Sequence, residues 1–174
     1  AAGLAPSLRH PGGNLTGFFL DFPDLNGKRL QLLKESLPGL SRVALLWDSS
    51  MDRAPLNAAQ NAARALHLKL QLLEVQRPGE VEGALQAAVK ARAGALLPAN
   101  SPMLDDQLPQ IVSRAINSRL PTLGILSYHA DAGLLMSYGP NLKDLRQRSA
   151  AYVDKILRGA KPGDLPIQRP EKFE

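Results

Sequence analysis

Cysteine is absent from the 174 residues. That excludes disulfides, thiolate metal sites and cysteine nucleophiles, and leaves export open, since an exported protein can do without disulfides. Aromatic residues make up only 5%, so a core has to be built from Leu, Ala, Val and Ile. No apolar run approaches the roughly 20 residues that span a bilayer. Residues 1–10 lack the basic stretch and apolar stretch of a secretory signal, as a mature or shortened chain also would. Dinucleotide, Walker and nucleophile-elbow glycine motifs are missing too. Gly12-Gly13 leads into a strand pattern rather than a helix, the wrong context for a phosphate cradle. His10, His67 and His129 stand alone, without a second ligand at metal spacing. No metal, cofactor or catalytic set is therefore expected.

What is present reads as a globular chain, with 44% hydrophobic and 21% charged residues. The net charge of +5 is uneven: residues 1–87 carry 9 Lys/Arg against 8 Asp/Glu, and residues 88–174 carry 12 against 8. Much of the excess lies on one late helical stretch, at Lys143, Arg146, Arg148, Lys155 and Arg158. Asp144 and Asp154 interrupt that run and no nucleic-acid reader motif accompanies it, so it reads as a solvated helix face and no nucleic-acid partner is expected.

Two Gly/Pro/Asn segments, residues 11–17 and 133–141, bracket an alternating strand and helix pattern. Leu15–Phe19 reads as a short strand. Asp24 is placed to cap a helix from Leu25 to Leu37, with Leu25, Leu30, Leu33 and Leu37 on one face and Pro38-Gly39 as its stop. Arg42–Trp47 is nearly continuous apolar sequence, as in a parallel strand buried on both faces. A helix then runs from Pro55 to Leu66, a strand from Lys69 to Val75, a helix from Glu80 to Arg92 and a short strand from Gly94 to Leu97. Ser101-Pro102 opens a helix to Asn117 or Ser118. Pro121–Leu126 and Leu134–Ser137 read as strands. Asn141 caps the last helix, with Asp144 three residues on, and Gly159 ends it. Short strands alternating with longer helices mean βαβ units and a parallel sheet. The expected class is α/β: a Rossmann-like three-layer α/β/α lobe.

Ligands of such sheets bind at the carboxyl ends of the strands. That rule nominates Asp48, Ser49 and Ser50, then Asn100 and Ser101, then Ser127 and Tyr128. These are short hydrogen-bonding groups without an acid–base–nucleophile pairing, a set suited to a small polar solute. Each has a competing reading. Asp48 follows a buried strand, where a catalytic acid or phosphoacceptor sits, yet it equally closes the turn into the next helix. Ser50 and Ser101 precede helices and can be caps, and Tyr128 can pack on its own lobe. Asp105-Asp106 falls in the first turn of a helix, where negative charge favours the dipole, against a metal role.

The string Leu8-Arg9-His10-Pro11-Gly12-Gly13-Asn14-Leu15-Thr16-Gly17 resembles a hinge signature of ABC-transporter substrate-binding proteins related to tryptophan/tyrosine-binding lipoproteins. Residues 27–35, 38–44, 133–142, 150–162, 164–167 and 170–174 are similar to further family strings in the same order. Two departures are visible: His10 lies inside the usual Arg-Pro-Gly-Gly-Asn string, and residues 48–52 replace the family's Asn-Pro-rich loop. The resemblance implies one lobe of a type I periplasmic-binding-protein fold, in a chain that looks cut at both ends. Residues 1–14 would be a first-lobe remnant, 15–138 the second lobe, and 139–174 the hinge return, a first-lobe helix and an extended tail. Asn14, Thr16, Gly17, Ser137, Tyr138 and Gly139 would be hinge residues.

Function follows as an implication of that resemblance. The expected role is the extracytoplasmic, periplasmic or lipid-anchored solute-binding component of an ABC importer, with a permease as partner of the full-length protein. The solute would be small and polar, with an amino acid, aromatic or branched, among the options. Alternatives are a ligand-sensing regulatory domain of the same fold, or a small α/β enzyme pairing Asp48 with His129 or Ser127. The apolar residues Leu145, Tyr152, Val153 and Ile156 of the last helix need a partner surface, so self-association through residues 141–158 is expected.

Overall fold

A computed structural model describes residues 4–20 and 23–174, and all their side chains except those of residues 23 and 24. The chain divides into two compact units, Phe22–Gly139 and Ala1–Asp21 with Pro140–Glu174. It passes from one to the other at 21/22 and again at 139/140.

The larger unit is built on parallel strands. β1 (Arg42–Asp48) has every residue after Arg42 buried. It lies between β2 (Lys69–Val75) and β3 (Ala95–Pro98), with Leu45 opposite both Leu72 and Leu97. Continuous apolar sequence is what a strand with two neighbours and two covered faces requires. A parallel bridge, Leu96 to Thr122, continues the sheet to β4 (Leu123–Gly124), which pairs with β5 (Met136–Ser137). The resulting order, 2-1-3-4-5, reverses direction between β1 and β3.

Helix α1 (Pro23–Ser36) packs on α2 (Ala54–Ala65), and α3 (Val81–Lys90) packs on α5 (Leu108–Asn117). Leu30, Leu33, Leu56, Ala59, Leu85 and Ile111 from these helices join Val43, Leu45, Leu96 and Leu97 in one core. The Asp24 side chain, expected to cap α1, lies outside the described residues. The helix expected over 101–117 is two: α4 (Pro102–Asp106) and α5, parted at Gln107. Pro109 causes the break, because it has no N–H to donate and its ring clashes with the carbonyl four residues back. The strands expected over 121–126 and 134–137 pair over only two residues each. The Ser127–His129 loop is in fact the start of a short helix, α6 (Ser127–Asp131).

In the smaller unit, α7 (Leu142–Leu157) begins where Asn141 Oδ1 accepts the Asp144 N–H at 2.8 Å, and stops before Gly159 at φ 98°. The expected strand at Leu15–Phe19 is a single parallel bridge, Phe18 to Gln168. The apolar stripe of α7 is largely covered inside this unit. Leu145 and Tyr152 are buried, the Tyr152 ring meets Phe18 at 5.4 Å, and its hydroxyl donates to Pro166 O at 2.7 Å. Val153 and Leu157 remain exposed.

Candidate functional site

The point where strand order reverses, between β1 and β3, is where open parallel sheets bind ligands. β1 delivers Asp48 to that edge and β3 delivers Asn100 and Ser101, because the register sets Leu46 opposite Pro98. Asp48 is 3% exposed. Its Oδ1 accepts from Ser50 N at 2.9 Å and Ser50 Oγ at 2.6 Å, and its Oδ2 accepts from Ser101 Oγ. Burial pushes the carboxyl up, but the bonds from Ser101 and Ser50 outweigh it and hold Asp48 below the usual carboxylate range. The turn reading of Asp48 holds as well, since its carbonyl accepts from Met51 N at 3.1 Å. Ser101 is buried and caps α4 through Leu104 N at 3.4 Å, so it braces the site from behind. Ser50 is exposed and caps no helix. Ser49 Oγ donates to Val75 O at 3.3 Å.

One turn along α4, Asp105 gathers a second cluster. Its Oδ2 accepts from the Tyr128 hydroxyl at 2.9 Å, and its Oδ1 meets His129 Nε2 at 3.1 Å. The Ile125 N–H donates to His129 Nδ1 at 3.0 Å, so the imidazole carries its proton on Nε2 and donates it to Asp105. His129 packs so closely on Gly124 that a Cβ there would lie 2.4 Å from the His129 Cβ. Tyr128 stacks edge-on against His129 at 4.5 Å. Burial, then the bond to Asp105, pushes the Tyr128 phenol up to about 12. Thus α4 carries Ser101 toward Asp48 and Asp105 toward Tyr128, and both clusters stand at strand ends. Ser127 begins α6 beside them in sequence.

Arg29 lies within residues 27–35, one of the family-like strings, and its sequence context alone points to no role. It is fully buried on α1 and donates through Nη1 to Asn26 Oδ1 at 3.2 Å. Through Nη2 it donates to Pro98 O at 2.9 Å and Leu123 O at 2.8 Å, which clamps the carboxyl ends of β3 and β4. Burial lowers its pKa to about 9. Its position four residues from both Leu25 and Leu33 was the available signal, because that spacing puts a cation on the apolar face. Asp48 is bonded to Ser50 and Ser101, and His129 to Ile125 and Asp105, so the hydrogen bonds of Asp48 go to neither His129 nor Ser127. Among the described residues no group of three His, Cys, Asp or Glu gathers at metal-binding distance.

The nominated hinge residues fall in both units. Thr16 Oγ1 donates to Leu165 O at 2.7 Å, and Gly17 O accepts from Gln168 N at 3.0 Å. Thr16 and Gly17 also line an apolar cavity of about 560 Å³ with Leu8, Leu15, Phe18 and Ile167. Asn14 lies in the turn before them. Ser137 pairs with Gly124, and Tyr138 N donates to Gly124 O at 3.2 Å. Gly139 approaches Ile125 O so closely that a Cβ would lie 2.1 Å from it.

Residues 1–174 match the family described as ABC transporter substrate binding protein. The chain is 21% identical over 175 residues to a "Tyrosine-binding protein" of Clostridioides difficile strain R20291, covering 99% of this chain and 50% of that protein. It therefore spans about half the length of that curated relative. A conserved domain protein from Vibrio cholerae superposes with a TM-score of 0.84 at 20% identity, over 98% of this chain and 57% of that one. An ABC domain in complex with L-Trp from Streptococcus pneumoniae gives 0.83 at 22% identity, over 99% and 60%. These likenesses establish the fold, the α/β architecture of type I periplasmic binding proteins. Among the described residues no helix is long and apolar enough to cross a membrane.

Proposed function

Because the chain belongs to the ABC transporter substrate-binding protein family, we propose that its larger unit is a solute-binding lobe of an extracytoplasmic receptor that serves an ABC importer. The solute of this reading is an amino acid with an aromatic side chain, and the downstream partner is a membrane permease. The observation that carries it is the convergence of Asp48, Ser50, Ser101 and the Asp105–Tyr128 pair on the carboxyl ends of the strands. The tyrosine-binding relative and the L-Trp complex support the choice of an aromatic amino acid.

Residues 14–17 and 137–139 are proposed as the hinge, close to where the chain passes between its two units. A glycine with φ of 143° at Gly17 and the tight approach at Gly139 fit segments in which only a small residue is tolerated. Binding of solute would then be read by a permease as closure about these segments.

The test is thermal denaturation of the chain across the twenty amino acids. At ten times the dissociation constant, binding adds about 1.4 kcal/mol, which raises the midpoint of a domain this size by roughly 3–5 °C. Stabilisation confined to tyrosine, tryptophan and phenylalanine is the expected result. A midpoint unmoved by every amino acid at millimolar concentration removes the amino-acid reading.

A further inference from the structure

The directions of the hydroxyl protons at the strand ends decide what those groups can bind. Ser49 Oγ donates to Val75 O, Ser50 Oγ and Ser101 Oγ both donate to Asp48, and the Tyr128 hydroxyl donates to Asp105. A hydroxyl has one proton and two lone pairs. Four of the five nominated hydroxyls have therefore turned their protons inward, and toward a solute they can only accept. The carboxylates they serve accept only. Ser127 and the Asn100 amide are the remaining side-chain donors of the nominated set. Two further donor atoms, Arg29 Nε and Trp47 Nε1, have no partner, but they are sealed beneath the surface and reach no solute. What the strand ends show outward is Ser50, Ser127, the Tyr128 oxygen at 39% residue exposure, a partly open Asn100 and a partly open Asp105 carboxylate; the acceptors among them are grouped at Ser50, Asp105 and Tyr128.

We infer that the rim formed by Ser50, Asp105 and Tyr128 is an acceptor surface, which takes the ammonium end of an amino acid and turns its carboxylate away. An ammonium offers three protons and a positive charge to oxygens that have none to give and stand over two carboxylates. A carboxylate in the same place sets lone pair against lone pair and like charge against like charge. The inference rests on the solute-binding reading and specifies which end of the solute this unit holds.

Three probes that share one ring separate the two claims. Tryptophan carries both charged groups, tryptamine only the ammonium, and indole-3-propionate only the carboxylate. Each is titrated into the ¹⁵N-labelled chain, and amide shifts are followed at Ser49–Met51, Asn100 and Ser127–His129. Tryptophan and tryptamine should move these amides with apparent affinities at least about tenfold above that of indole-3-propionate, the worth of one charged hydrogen bond. Equal or stronger response to indole-3-propionate, with tryptophan also responding, overturns the inference and leaves the solute-binding reading in place. No response at these amides to any probe overturns that reading, and the inference with it. A second arm uses Asp48→Asn, whose amide can donate and no longer holds both serine protons. It should narrow the preference for tryptamine, and an undiminished preference in the folded variant counts against the inference.

Discussion

Replacing Arg29 by methionine tests whether the clamp beneath the strand ends is a net stabiliser. The guanidinium is fully buried, and burial lowers its pKa from 12.5 to about 9. Such a shift corresponds to about 5 kcal/mol against the charged form at neutral pH. Three hydrogen bonds, to Asn26, Pro98 O and Leu123 O, act in return. Bonds from a charged donor contribute about 1.5–3 kcal/mol each, so together they roughly offset or exceed the burial cost. Methionine removes that cost but leaves two strand-end carbonyls and an amide oxygen unpartnered, at about 1–3 kcal/mol apiece. The expected outcome in urea unfolding at pH 7 is a loss of about 2 kcal/mol, within the range these figures allow. The pH dependence has a definite sign. The folded pKa lies below the unfolded one, so above pH 9 the unfolded chain holds a proton that the folded chain has lost. Wild-type stability gains about 1.4 kcal/mol per pH unit from this group there, and the methionine variant gains none. The gap should be flat from pH 6 to 8 and wider at pH 10. A gap under about 0.5 kcal/mol at pH 7, or one that stays constant to pH 10, refutes the reasoning.

Asp48→Asn and Ser101→Ala, made singly and together, should show a coupling of about 1.5–3 kcal/mol, as for a hydrogen bond to a charged acceptor, and additivity would refute the brace. Because the Asp48 pKa is depressed, its contribution is full above the unfolded value of 3.8 and is lost as pH falls through the lower folded value, so wild type and Asp48→Asn should converge in acid. In an ultraviolet titration the Tyr128 phenol should ionise near pH 12, and Asp105→Asn should move it toward 10; an unmoved transition would show that Asp105 does not hold the hydroxyl proton. Gly139→Ala drives a methyl into Ile125 O and should cost about 3 kcal/mol in thermal or urea unfolding, whereas a near-neutral variant would mean that this approach relaxes freely.

The elements that read well from sequence are those whose cause is local or repeated. β1 declares itself as an apolar run of strand length, β2 as a strand-length segment with Leu and Val between polar residues, and α7 as a capped amphipathic stretch with a glycine stop. The misreadings share a different cause. Leu15–Phe19 has strand composition but needs a partner 150 residues away, and only Phe18 finds one, at Gln168. The stretch 121–126 has the composition of one strand, yet it pairs over two residues before His129 reaches back to the Ile125 N–H and α6 begins. The break between α4 and α5 is legible in Pro109, a residue that kinks or breaks a helix at its interior but suits the first turn of a new one.

The candidate site divides along the same line. The rule of carboxyl ends picked out the loops that hold Asp48, Ser101 and Tyr128, because it follows from sheet topology alone. It could not say that Asp48 and Ser101 meet across 53 residues, since that depends on register. Nor could it give the chemistry of the rim. Serines at strand ends look like donors waiting for a solute, and they would be donors if no carboxylate stood among them. Asp48 must be satisfied once it is buried, because an unpaired buried charge costs several kcal/mol. The nearest protons are those of Ser50 and Ser101, and satisfying Asp48 consumes them. Asp105 does the same to Tyr128. The demands of folding thus fix the polarity of recognition: Asp48 and Asp105 turn Ser50, Ser101 and Tyr128 from potential donors into acceptors, and the solute group that fits against them has to bring its own protons.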